Sequence, residues 1–211
     1  MLGVKKRWLC AVACVVVLPA LARGQASGIG SLSGGALSGW TVQNTDAGNF
    51  TVADGVLRVE GPTGWLRSAK PYGDVRVRLE FRFLTPDADS GLFVRAAGGD
   101  ATFMRGWPNQ AYQVQIRNPE TDSRLPPVGG LFRHGMPQGE TSFDAAAVAA
   151  AVRPTGEWQA LEVTVTGDRL EARLNDRLVL QASGIANETG YLGLQGETGA
   201  LEFRAFDIEA R

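Results

Sequence analysis

Between residues 74 and 83 the chain alternates without a break. Val75, Val77, Leu79, Phe81 and Phe83 are apolar, and Arg76, Arg78, Glu80 and Arg82 between them are charged. Successive side chains of an extended strand point to opposite faces, so this period of two fits a strand with one packed face and one wet face. The same period recurs in shorter pieces. Phe50–Ala53 and Val56–Glu60 flank Asp54-Gly55, a dipeptide that tolerates the positive φ angles of a type I′ hairpin turn. Leu161, Val163 and Val165 share a face up to the Gly167-Asp168 turn. Leu170, Ala172 and Leu174 share one up to Asn175-Asp176, and residues 178–181 follow, which makes an antiparallel meander. Trp40–Gln43 and residues 64–67, 130–134 and 191–195 read as further strands. In the last run Leu201 and Phe203 stand on one parity and Phe206 and Ile208 on the other, which predicts a bulge near Arg204 or Ala205. Only residues 144–152, rich in alanine, read as a helix, with Ser142 or Asp144 as cap and Pro154 as stop. Many short strands, tight turns and one short helix in a loop predict an all-β fold: two antiparallel sheets packed as a sandwich.

The first residues follow a different logic. Lys5, Lys6 and Arg7 precede an apolar run from Trp8 to Leu21 and small-residue exits at Ala20-Leu21-Ala22 and Gly24-Gln25-Ala26. That is the layout of a secretory signal peptide over residues 1–26, too short for a membrane span. Residues 27–36 read as a flexible Gly/Ser linker and 37–211 as one domain. The expectation is export to the periplasm or the medium, with no membrane attachment after cleavage. Cys10 and Cys14 both lie in the leader, so the domain must be held by its core and not by disulfides. A lipoprotein anchor at Cys14 is the rival reading, and the apolar run continuing through residues 15–18 argues against it. The formal charge is −1, with acids and bases interspersed, unlike the one-sided basic footprint of a nucleic-acid binder.

The polar candidates gather in residues 87–117. Tyr112, Val114 and Ile116 fall on one side of a strand, and Gln113, Gln115 and Arg117 on the other. In the neighbouring run Asp89, Gly91, Phe93 and Arg95 share a face, so pairing the two strands would gather an acid, a ring, a base and two amides. Glutamine donates and accepts at once, which suits a ligand covered in hydroxyls, and an ordinary solvated sheet face accounts for the same residues. Trp107, in the loop Gly106-Trp107-Pro108-Asn109, and Trp65 offer aromatic planes to a sugar's C–H face, whereas Trp40 and Trp158 begin strands and read as core. Gln195 shares a parity with Tyr191 and could extend a groove. His134, the sole histidine, titrates nearest neutral pH, and a lone histidine in a loop also reads as ordinary surface. No cluster of His, Cys and acids has transition-metal spacing, and no cofactor is implied.

Several segments together resemble the 3-keto-disaccharide hydrolase domain family, exported proteins with a concanavalin-like jelly roll. They are Leu37-Ser38-Gly39-Trp40, Asp54-Gly55-Val56-Leu57, Tyr72-Gly73-Asp74, Leu79-Glu80-Phe81-Arg82, Asp89-Ser90-Gly91-Leu92-Phe93-Val94-Arg95, Tyr112-Gln113-Val114-Gln115-Ile116, Gly156-Glu157-Trp158, Leu174-Asn175-Asp176 and Leu201-Glu202-Phe203-Arg204. The resemblance implies a concave sheet that cradles sugar, and cleavage of glycosides already oxidised to a ketone at carbon 3. That ketone acidifies the hydrogen on carbon 2, so one base, a donor to the enolate oxygen and an acid for the leaving group suffice. The paired carboxylates at fixed separation of ordinary glycosidases are not required. Asp89 is then the first candidate for the base, with Glu120, Asp122 and Glu140 as alternatives from the loops, and His134 as acid or base. Arg95 is the candidate donor, or else a salt-bridge partner of Asp89. Two departures stand out: the family usually has Asn at the position of Asp89 and commonly an acid at that of Gln113. A non-catalytic carbohydrate-binding domain on the same scaffold is the alternative. Concanavalin-like sandwiches often carry calcium, but Asp87-Ala88-Asp89 supplies too few ligands to define a site.

Overall fold

The computed structural model describes residues 27–28, 37–98, 102–103, 106–121 and 124–211. The expected signal peptide, both cysteines, most of the 27–36 linker and Asp122 lie outside them. Two antiparallel sheets face one another. The nine-stranded sheet runs, edge to edge, Thr141–Phe143, Arg177–Ala182, Arg169–Leu174, Gln159–Thr166, Val75–Phe83, Ala200–Ala210, Val56–Glu60 and Phe50–Ala53. Its ninth member, Ser27–Gly28, pairs with Ile208 and Asp207 of the Ala200–Ala210 strand. The six-stranded sheet runs Leu131–His134, Ala111–Arg117, Asp89–Ala96, Gly190–Gly196, Gly64–Tyr72 and Trp40–Gln43. A two-residue ribbon, Thr102–Phe103 with Trp107–Pro108, pairs separately. This is the jelly-roll sandwich that the strand pattern and the resemblance imply.

The alternating strand behaves as its sequence requires. Val75, Val77, Leu79, Phe81 and Phe83 are buried, while the outward arginines meet acids across the sheet: Arg76 with Glu162 at 2.7 Å, Arg82 with Glu202 at 2.7 Å, and Arg204 with Glu80 at 2.7 Å. Such partly exposed pairs contribute little each. Trp158, expected in the core, instead lies on this outer face, half-buried between Arg82 (4.7 Å) and Arg204 (4.0 Å). The core forms between the sheets from Leu57, Leu66, Leu92, Val94, Tyr112, Val114, Ile116, Leu161, Val163, Leu194 and Phe203 with the Val75–Phe83 row.

Turns and irregularities fall where the sequence marks them. Asp54 and Gly55 have φ of 50° and 75°, as a type I′ turn requires. In the last strand Arg204 faces Glu80 and Asp207 faces Arg78, so Ala205 and Phe206 oppose the single residue Leu79, with Ala205 at φ 48°. The helix spans Ala145–Ala151 and is capped by the Asp144 side chain, which accepts from the Ala147 amide at 2.8 Å. The 64–67 strand proves longer, Gly64–Tyr72, and includes Pro71. Its pairing with Trp40–Gln43 ends at Ser68, so Pro71 sits where one side of the strand is an edge and no amide hydrogen is needed.

Candidate active site

The outer face of the six-stranded sheet carries its own side-chain layer. Trp65, Phe93, Ala96 and Ala111 pack there under Trp107 and Tyr191, apart from the main core. Register places Gln113 opposite Phe93, Gln115 opposite Gly91 and Arg117 opposite Asp89. The glycine matters. A Cβ at residue 91 would stand 2.4 Å from Gln113 Nε2, so only glycine lets that amide lie flat on the sheet.

The expected wet amide face is covered. Gln113 and Gln115 are each 2% exposed and Gln195 1%, and the three satisfy one another. Gln113 Nε2 donates to Gln115 Oε1 at 2.7 Å and to Gln195 Oε1 at 2.8 Å. Gln115 Nε2 donates to Asp89 Oδ1 at 3.0 Å, and Gln195 Nε2 to Glu197 Oε2 at 3.1 Å. Glu197 as a carboxylate accepts only and so orients Gln195, Gln113 and Gln115 in turn, with Asp89 Oδ1 accepting at the far end. Both hydrogens of the Gln113 amide are committed, so its Oε1 must accept from His134 Nε2 at 2.6 Å. His134 is thereby held as the Nε2–H tautomer. One network joins two acids and the histidine.

The network floors a cleft of about 110 Å³ lined by Trp107, Gln113, Gln115, Leu125, Phe132, His134, Gln195 and Glu197. Its walls are apolar: the Phe132 ring stacks on His134 at 5.9 Å, and Trp107 lies 6.2 Å from the same imidazole. Wider depressions of about 280 Å³ at Glu140–Ser183 and 320 Å³ at Asp74–Arg95 have no aromatic wall among the described residues. Burial pulls the His134 pKa below its ordinary value. The Asp89 carboxyl is pushed up to about 7, first by burial and next by the charge of Glu197, against the opposing pull of Arg117 and hydrogen bonds from Gln115 and the Ser90 backbone. A carboxyl poised near neutrality beside a second acid is equipment for moving protons.

The structure brings Asp89, Gln113, Gln115, His134, Trp107 and Gln195 together. It removes Arg95 from them. Between Tyr191 and Gly193 the neighbouring strand pairs with Ala96 and then Phe93, so Val94 and Arg95 oppose a single residue. Arg95 takes φ 52°, Ala96 assumes its place on the face, and the guanidinium turns to Asp74 at 3.0 Å and the Asn187 carbonyl. The salt bridge considered with Asp89 is therefore made with Asp74. Trp65, 2% exposed and edge-on to Phe93 at 5.7 Å, lies beneath the cleft and not along it. Arg117 is 3% exposed and binds the carbonyls of Leu125 and Pro126, anchoring the segment whose Leu125 forms the rim. Of the loop acids, Glu120 accepts from Thr155 and Glu140 lines a different depression. Glu197 was missed. It continues the parity of Tyr191, Gly193 and Gln195 past the end of the strand, where Gly196 and Gly199 read as turn. Among the described residues no three His, Cys, Asp or Glu gather as metal ligands.

Residues 29–209 match the family of 3-keto-alpha-glucoside-1,2-lyase-like domains. The chain belongs to that family. No curated protein matches it by sequence. Among solved structures it is similar to a Parabacteroides distasonis protein assigned provisionally to the glycosyl hydrolases, at 19% identity and TM-score 0.65, covering 85% of this chain and 92% of that one. It is also similar to the carbohydrate binding module CBM66 of Bacillus subtilis (15%, TM-score 0.53, 82% and 96%) and to Bacillus licheniformis β-glucanase (13%, TM-score 0.50, 86% and 96%). At these identities the likeness is one of fold. Membership makes this a 3-keto-alpha-glucoside-1,2-lyase-like domain of the hydrolase-like, carbohydrate-related class.

Proposed function

We propose that the protein is an exported enzyme that cleaves 3-keto-glycosides by taking the C2 proton, expelling the C1 substituent and adding water. The observation that supports it is the single hydrogen-bonded network from Asp89 through Gln115, Gln113 and Gln195 to Glu197, which ties Glu197 and His134 at one cleft to a second acid buried behind it. A ketone at C3 makes the C2 hydrogen acidic enough for a carboxylate to remove, and the C–H face of the ring suits Trp107, Phe132 and Leu125 at the apolar wall. The family to which the chain belongs is named for this chemistry.

Incubation of the protein with a 3-keto-disaccharide and with its unoxidised parent tests the reading. Release of the oxidised monosaccharide from the first alone is expected. Retention of both sugars without turnover would establish the binding domain instead, the alternative favoured by the likeness to a carbohydrate binding module.

A further inference from the structure

We infer that Glu197 is the base that takes the C2 proton and that Asp89 is its positioning partner, an assignment that rests on the 3-keto-glycoside reading above. Of the described residues that line the cleft, His134 and Glu197 are the titratable ones. The Nε2–H of His134 is committed to Gln113, and its imidazole sits against Phe93, Trp107 and Phe132, an environment that disfavours charge. Asp89 lies behind Gln115, 8% exposed, and is not part of the lining. Two neighbouring carboxyls in a low-dielectric site do not both ionise readily, and the more deeply seated one keeps the proton. Asp89 is that one, as its pKa near 7 agrees, and Glu197 carries the negative charge into the cleft.

The step balances without a further reagent. The C2–H bond breaks, its proton goes to Glu197, and the electron pair is held by the ketone as an enolate. The C1–O bond then breaks as C1=C2 forms, and the departing oxygen takes the proton from Glu197. Water adding across C1=C2 returns a hydrogen to C2 and puts a hydroxyl on C1.

The test compares wild type, Glu197→Gln, Glu197→Asp and Asp89→Asn on a 3-keto-disaccharide, together with carbon-13 NMR titration of Asp89. Glutamine at 197 can still accept from Gln195, so the network and the fold survive that change. Glu197→Gln is expected to lose about 10²–10⁴-fold in kcat, Glu197→Asp to recover part of it, and the Asp89 midpoint to fall in Glu197→Gln. Asp89→Asn, whose amide mimics a protonated carboxyl, is expected to keep measurable turnover but to lose the inflection near pH 7. Turnover of Glu197→Gln within a few-fold of wild type, or Asp89→Asn as inactive as Glu197→Gln, overturns the assignment and leaves the substrate reading standing. Wild-type protein inert toward every 3-keto-glycoside removes the substrate reading and this assignment with it.

Discussion

At the scale of single residues, the direction of each amide in the network is the quantity that matters. Gln113 gives two hydrogens and receives one, and replacing it by Glu removes both donations at once. Gln115 and Gln195 must then turn over to donate inward, which aims their carbonyl oxygens at Asp89 and Glu197. Oxygen facing oxygen in a dry site costs about 1–3 kcal/mol unless a proton intervenes. Gln113→Glu is therefore expected to lower stability by that order at pH 7. Adding Asp89→Asn supplies an amide hydrogen to the reversed Gln115 and should restore part of the loss. Urea denaturation of the two single variants and the double variant measures the coupling, and strictly additive effects would rule out a reversible bridge through Gln115. The resemblance to the family gives this arrangement a context, since it implies an amide at 89 and an acid at 113, the same pair in opposite order. That swap was legible in the sequence. The bridge that makes it self-consistent was not, because it depends on the register that sets Gln115 opposite Gly91.

Strands and their irregularities decide which residues reach the cleft. The bulge in the last strand is visible in sequence because Leu201, Phe203, Phe206 and Ile208 change phase around it. The bulge at Val94-Arg95 is silent, because the residues beyond it are Ala96 and Ala97, which fit either face and carry no parity signal. Alternation therefore put Arg95 with the acids, and the fold puts it against Asp74. Burial of the amide face was equally illegible: covering it takes Trp107 and Leu125 from loops whose approach no local pattern encodes. The hairpins, the meander and the helix cap needed no such long-range information and were read correctly. Arg95→Ala should then destabilise by about 1–3 kcal/mol through the lost charged hydrogen bonds, while turnover of a 3-keto-glycoside stays near wild type. Arg95→Gly loses the same bonds but relieves the left-handed φ, a strain of about 1 kcal/mol or more for a residue with a Cβ. The glycine variant should accordingly have the higher urea midpoint of the two. A collapse of turnover in either would return Arg95 to the reaction, and equal midpoints would mean that the left-handed φ stores no strain.

For the molecule as a whole, the candidate site is a place where the sandwich gives up stability. The main core lies between the sheets, and the face opposite it holds an acid that burial forces to retain a proton up to about pH 7. In the unfolded chain the same group releases its proton near 3.8. Between those values the folded state binds more protons than the unfolded one, so this group's contribution to stability falls as pH rises, and the loss is complete above about pH 7. The interval corresponds to a cost on the order of 4 kcal/mol at pH 8. His134 acts in the opposite sense: its lowered pKa makes the unfolded chain take up a proton first, so its contribution is lost as pH drops through about 6.5. The two dependences oppose each other in wild type, and a single profile does not separate them. The difference between wild type and Asp89→Asn does, because His134 is common to both. Asparagine still accepts from Gln115 and cannot ionise, so its stability relative to wild type should rise from pH 4 to about pH 7 and level off toward pH 8. Thermal denaturation of both proteins in the same buffers gives this difference directly. An offset that stays constant across that range would mean that Asp89 titrates as an ordinary exposed acid, and that the cleft is wetter than its aromatic walls imply.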